Sequence, residues 1–368
     1  MTDKPKHVIH VHTSRNWGGG EDQVFRLVRG LVENGVNTTV LANRKGLLFQ
    51  KLTECGLPVI ALPRLALTPL LPCFMSRLCR SITVLGSDII HAHDSLATTI
   101  GIKIARRVNL PLVLSRRIAS PLRKNLFSHV KYSPDRIAGV IAISQTVKEV
   151  FAKRGYPRDR IWIVPDGVDI EALDKVEVDM EFRRSYDRRY IVGGVGKLSL
   201  KKNWQFMAYV AERLMHSGIE IQWCIAGDGP GRTKLEKLVR QLGIESHFHF
   251  LGFRTDATSI LKSLDLLFCP SLMEGASIVI LKAMVLGTPV VAVNTPGTME
   301  SLAGHCWAIN QGDIEGAARS VVEALRDGTK RDAIVAAAKA SAKSRFPLNL
   351  TIDGTVKVYN QVLALKRI

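Results

Sequence analysis

Glu274-Gly275-Ala276-Ser277-Ile278-Val279-Ile280-Leu281-Lys282-Ala283-Met284, continued by Gly287-Thr288-Pro289-Val290-Val291, is the stretch on which the fold turns. It reads as a short loop, the start of a buried helix, and a turn into a strand. Pro270 and Ser271 precede it, after the apolar run 264–269. The loop is therefore expected at the carboxyl end of a strand, where open α/β sheets bind ligands. A helix starting there directs its N–H groups and positive dipole end at the ligand, which suits a phosphate. Glu274 beside such an anion site would repel phosphate unless it holds something else, such as sugar hydroxyls.

Outward from this stretch the chain alternates strands with helices, the pattern of mostly parallel sheets. A first block opens with a strand over 6–11, the loop Trp17-Gly18-Gly19-Gly20-Glu21 and a helix ending near Gly35. The glycines permit close backbone approach to a ligand, but their spacing is not the dinucleotide fingerprint. Further strands are expected over 38–42, 59–62, 88–91, 111–115, 139–143 and 162–164. An apolar, basic surface helix is expected over 65–82. Residues 176–189 are charge-dense without apolar period and read as a linker. A second α/β block starts at Tyr190, and helices close the chain.

The 368 residues suffice for two domains, and 46% hydrophobic with 23% charged residues is ordinary for a globular protein. The reading divides the chain at 1–182, 183–349 and 350–368. Six cysteines without a CxxC pair suggest free thiols in a reducing compartment. No signal peptide or membrane span is legible, so a cytoplasmic location is expected. The net charge is +18, and residues 61–134 hold eleven Lys/Arg against only Asp88 and Asp94. That excess predicts an anionic partner. Sparse aromatics and the lack of any known motif argue against nucleic acid.

With these pieces placed, the chain resembles the retaining family 4 glycosyltransferases of the GT-B fold. The resemblance rests on nine motifs in order. They are the Gly18–Glu21 loop, 88–93, 141–144, 164–169, 196–202, 226–230, 250–253, 270–275 and 287–291. It implies two Rossmann-like domains facing across a cleft, with a last helix crossing back to the first. It also implies a nucleotide-diphosphate sugar as co-substrate, a UDP-sugar by preference, and no metal.

Carried over residue by residue, the resemblance makes Lys197 and Lys202 diphosphate ligands. The first is usually Arg, and Lys keeps the charge but loses the bidentate fork. Glu274 would hold hydroxyls of the transferred sugar, while Gly275, Ala276, Ser277 and Ile278 place amides on the phosphate. Gly19 and Gly20 would close over the donor, and His93 and Glu274 are the catalytic candidates. One departure stands out. The family's second Glu falls eight residues after Glu274, and this chain has Lys282 there. Lys can donate to a hydroxyl but not accept, so a catalytically impaired sugar-nucleotide-binding protein is the alternative.

His10/His12, His91/His93 and His247/His249 are HxH pairs, which on a strand share one face. No cluster of carboxylates or cysteines accompanies them, and no metal is expected. Asp94, Arg116, Arg117, Arg123 and Lys124 are read as acceptor-binding, toward an anionic saccharide or lipid-linked acceptor. With residues 65–82 they suggest a peripheral enzyme on the cytoplasmic face of the inner membrane, in lipopolysaccharide core or other envelope glycan synthesis.

Overall fold

The computed structural model describes residues 5–62, 72–186 and 190–366. The chain divides into two compact units, Met1–Gly167 with Leu348–Ile368, and Val168–Pro347. The first unit runs β1 (His7–His12), α1 (Gly19–Glu33), β2 (Asn37–Asn43), α2 (Leu47–Glu54), β3 (Val59–Leu62), α3 (Pro72–Val84), β4 (Ile89–Ala92), α4 (Ser95–Val108), β5 (Leu112–Arg116), α5 (Leu126–Lys131), β6 (Gly139–Ala142), α6 (Gln145–Ala152) and β7 (Ile161–Ile163). The second runs α7 (Ile170–Asp174), α8 (Met180–Arg184), β8 (Tyr190–Val195), α9 (Trp204–Met215), β9 (Ile221–Ala226), α10 (Arg232–Gln241), β10 (Phe248–Gly252), α11 (Ala257–Ser263), β11 (Leu266–Cys269), α12 (Ile278–Leu286), β12 (Val290–Val293), α13 (Pro296–Leu302), β13 (Trp307–Ile309), α14 (Ile314–Arg326) and α15 (Gly328–Arg345). The last helix, α16 (Leu348–Lys366), rejoins the first unit.

Both sheets are parallel. The first has strand order β3-β2-β1-β4-β5-β6-β7 and the second β10-β9-β8-β11-β12-β13. Each starts in the middle, winds outward one way, then returns to wind the other. That is the doubly wound Rossmann plan, whose ligands lie where the order reverses. The reversal falls between β1 and β4 in the first unit and between β8 and β11 in the second. The strands read as continuous apolar runs because helices cover both faces. In the second unit α9 and α14 pack one face around Trp204, Trp223 and Phe268. On the other, α12 and α15 enclose Ile280, Leu281 and Met284. In the first unit α16 lies on α1, with Tyr359 and Val362 in the core beside Leu27 and Leu31.

The boundary differs from the expected 182/183. The charge density of residues 176–189 reads as a linker, yet α8 forms within this stretch and α7 ends just before it. Val168, Leu173 and Phe182 are buried in the second core. Asp169 and Asp179 cap the two short helices, so Asp179, one of the charges that masked the apolar period, marks a helix start. The second crossing lies at 347/348 rather than 349/350. The two crossings are neighbours within the second unit, where Val168 N–H donates to Phe346 O at 2.8 Å.

The helix expected over 65–82 is described only from Pro72, residues 63–71 lying outside the described segments. It turns one apolar side inward, although Val84 at its end is exposed. Met75, Leu78, Cys79 and Ile82 are buried, while Arg77 and Arg80 are exposed. All six cysteines are free, and Cys55 and Cys73 are exposed. No helix among the described residues is long and apolar enough to cross a membrane.

Candidate active site

Two clusters gather the sequence candidates, one at each reversal point. In the second unit, Gly196 follows β8 and opens the turn that carries Lys197 and Lys202. Lys197 is exposed, and its carbonyl accepts from Trp204 Nε1 at 3.0 Å. The facing loop leaves β11 at Pro270. It is tied to the lysine turn through Leu272 N–H, which donates to Lys201 O at 2.9 Å. Lys202 Nζ then meets Glu274 Oε1 at 2.6 Å. Burial works against the Lys202 ammonium, but the Glu274 carboxylate outweighs it and holds the lysine above its ordinary pKa. The loop is also clamped from behind. A Cβ on Gly297, in the first turn of α13, would fall 2.1 Å from Glu274 O.

Gly275, Ala276 and Ser277 lead into α12, whose first residue is Ile278. Ser277 is the N-cap, buried, and its side chain caps no amide. The first-turn N–H groups of any helix lack intrahelical acceptors. These lie on the same short segment as Glu274. Lys282 sits one turn further along α12, half-buried. The structure thus joins Lys202 to Glu274 directly, a pairing that the separate roles read from sequence did not foresee.

In the first unit, β1 and β4 are in register with His10 opposite His91. That places two HxH pairs side by side. His10 Nδ1 meets His93 Nε2 at 2.9 Å. His91 bonds Tyr359 Oη at 2.7 Å and Ser115 Oγ at 2.8 Å. Arg117 Nη1 donates to His93 Nδ1 at 3.3 Å. A guanidinium can only donate, so that nitrogen of His93 is unprotonated and Nε2 carries the hydrogen toward His10. Burial lowers the pKa of His10 to about 3, and it lowers those of His91 and His93 well below the usual histidine value. The neighbouring rings and Arg117 add to the effect. All three are neutral at physiological pH.

The ligand nitrogens of His10, His91 and His93 lie within 4.8 Å of one another, a possible tris-imidazole donor set. Neutral imidazoles suit a metal. Against it, both His91 nitrogens are already bonded, to Tyr359 and Ser115, so a dication would have to displace one of them, and it would face the Arg117 guanidinium. The donors are therefore a poor fit for a metal.

Several predicted site residues are committed inward. Arg117 grips the buried Asp166 through Nε at 3.1 and 3.0 Å. Burial raises the Asp166 pKa even so. Arg116 ends β5 and donates to Ile118 O and Ser120 O. Asp94 caps α4 through Ala97 N–H and takes both the amide and hydroxyl of Thr13. Their guanidinium and carboxylate groups hold the loops of this end of the sheet. Arg123 and Lys124 are exposed. Gly19 and Gly20 form the first turn of α1. There Glu21 bonds His12 Nε2 at 3.0 Å. Burial pushes the Glu21 pKa up, but His12 and Ser14 more than reverse it. Glu21, Asp166 and Tyr359 were not singled out from sequence. The first two lie inside recognised motifs, but nothing local marks Tyr359.

The two doubly wound units are those of the GT-B fold, and family matches over both units, with named relatives, make the chain a glycosyltransferase. Residues 17–172 match the family Glycosyltransferase Family 4, and residues 176–341 match Glycosyl transferases group 1. A 2-deoxystreptamine N-acetyl-D-glucosaminyltransferase from Streptomyces fradiae is 28% identical, across 93% of this chain and 90% of its own. A UDP-Gal:alpha-D-GlcNAc-diphosphoundecaprenol alpha-1,3-galactosyltransferase from Escherichia coli is 25% identical across 61% of this chain and 66% of its own. HepE from Anabaena, solved in complex with UDP and glucose, superposes with a TM-score of 0.84 at 21% identity, over 99% of this chain and 100% of that one.

Proposed function

We infer that the protein moves a sugar, with retention of anomeric configuration, from a UDP-sugar to a saccharide or lipid-linked acceptor. Envelope glycan synthesis, lipopolysaccharide core included, is the setting this reading favours. The observation that carries it is the Lys202–Glu274 pair at the β8/β11 reversal, beside the start of α12. A cation, a carboxylate and a helix start together match a ligand with phosphate and hydroxyls. Lys197, Lys202 and the amides of Gly275 to Ile278 hold the diphosphate. Glu274 accepts from hydroxyls of the sugar. The departing diphosphate takes up the proton of the incoming hydroxyl on the face it leaves, so no strong general base is needed. The protein's task is to stabilise the leaving charge. His93, neutral and engaged at both nitrogens, serves as a fixed polar wall rather than a base. The UDP preference and the lipid-linked acceptor are supported by what the relatives above are named for.

Titration calorimetry with UDP, and transfer assays on Glu274→Ala, test the reading. UDP binding should persist within about threefold while turnover falls by about 100-fold or more. Proton NMR of the product should show the donor's anomeric configuration. Unimpaired turnover in Glu274→Ala would remove the role given to that residue, and an inverted product would remove retention. Lys282 motivates the second reading, a binding protein without turnover. It predicts UDP binding with neither transfer nor donor hydrolysis, so either activity, if lost in Glu274→Ala, discards it.

A further inference from the structure

The helix α5 is built inside out. Its buried residues are Ser128 and Lys131, and Lys131 Nζ donates to Ser95 O and Oγ. Its apolar residues point to solvent, with Leu126 78% and Phe127 71% exposed, and Val130 exposed beside them. Ile118, on the loop before it, is 47% exposed. A helix packed only for its own fold shows the reverse pattern. Clusters of exposed large apolar groups mark interaction surfaces.

This exposure belongs to a well-bonded segment. Arg116 holds the carbonyls of Ile118 and Ser120, Arg154 Nη2 donates to Arg123 O at 2.7 Å, and Asn125 caps α5 through Ser128 N–H. Arg123 and Lys124 are exposed immediately before the apolar pair. No acidic residue lies between Asp94 and Asp135, while that interval carries eight Lys/Arg.

We propose that the 118–130 segment is a docking face for an anionic lipid bilayer, with Leu126 and Phe127 entering the headgroup boundary and Arg123 and Lys124 on lipid phosphates. The exposed Arg123 and Lys124, in a stretch of sequence without acids, complement an anionic surface and select this occupant over a second copy of a protein whose net charge is +18. Apolar side chains flanked by cations are the chemistry of interfacial binding. The inference rests on the reading of a lipid-linked acceptor and deepens it, placing the membrane contact on this segment rather than on the side of α3 that holds the buried Met75, Leu78 and Ile82.

The experiment is co-sedimentation of the full chain with vesicles of phosphatidylcholine alone or with 30% phosphatidylglycerol, that fraction being roughly a physiological anionic content. UDP binding is measured on the same preparations. Wild type should bind the anionic vesicles and weaken with salt. Leu126→Ser/Phe127→Ser should lose binding by about tenfold or more at every salt concentration. Arg123→Gln/Lys124→Gln should lose about 25-fold on anionic vesicles only, about fivefold per charge. Both variants should melt like wild type and bind UDP unchanged. Failure of the donor reading appears as lost UDP binding in wild type and leaves the vesicle result standing. Absence of wild-type binding, equal binding by the variants, or a dimer that the serine variants dissolve would each overturn the proposal.

Discussion

His10, His91 and His93 are a conflict of type and place. Three basic side chains lie fully or almost fully buried around Arg117. The fold holds them neutral, and this makes a pH prediction. Their folded pKa values are depressed, so below about pH 6.5 the unfolded chain binds protons that the native state refuses. Stability contributed by these groups is complete above that pH and falls as pH drops toward the folded values, about 3 for His10. Urea titrations between pH 7.5 and 5, buffers chosen to bracket the unfolded value of about 6.5, should show a slope approaching ~1.4 kcal/mol per pH unit for each of the three. A flat profile would mean that they titrate normally. Tyr359→Phe tests one partner separately. It leaves a buried His91 nitrogen without its bond and should destabilise the first unit by about 1–3 kcal/mol, read by chemical denaturation.

Among elements, the loop from Pro270 to Ser277 is held by its neighbours more than by itself. Leu272 bonds the lysine turn, and Gly297 backs against the Glu274 carbonyl. Gly297→Ala puts a methyl on that carbonyl and must push the loop off α13. The expected outcome is a folded protein whose UDP affinity drops by about tenfold, measured by calorimetry, because the amides at the α12 start move with the loop. An unchanged affinity would show that the loop adjusts freely.

What was legible here follows from local signals. β8, α9, β9 and β11 announce themselves by apolar runs and glycine turns, and Glu274 by its motif. α4 was not read, although Asp94 before it is an N-cap, because the HxH motif drew the reading toward chemistry. α5 was not read because its period is inverted. The Lys202–Glu274 contact spans 72 residues and Tyr359–His91 spans 268. Contacts between side chains that far apart leave no trace in the local pattern.

At the scale of the molecule, the first unit is discontinuous. α16 supplies Ile352, Val358, Tyr359 and Val362 to a core otherwise built from residues before 168. A chain ending at Pro347 should therefore lack a stable first unit, seen as rapid proteolysis of residues before 168. The second unit, continuous from Val168 to Pro347, should persist as a resistant fragment. Equal protection of both units in the truncated chain would deny α16 its part in the core.

The side-by-side crossings at Val168 and Phe346 also carry a consequence for how the protein is made. On the ribosome, the first sheet emerges early yet lacks the helix that covers Leu27 and Leu31. At about 5–20 residues per second, the intervening unit keeps that face waiting on the order of ten seconds or more. The later-made unit is the one able to fold first, and its completion brings residue 346 beside 168. The face over Leu27 and Leu31 is thus expected to stay uncovered through that interval, until α16 is made.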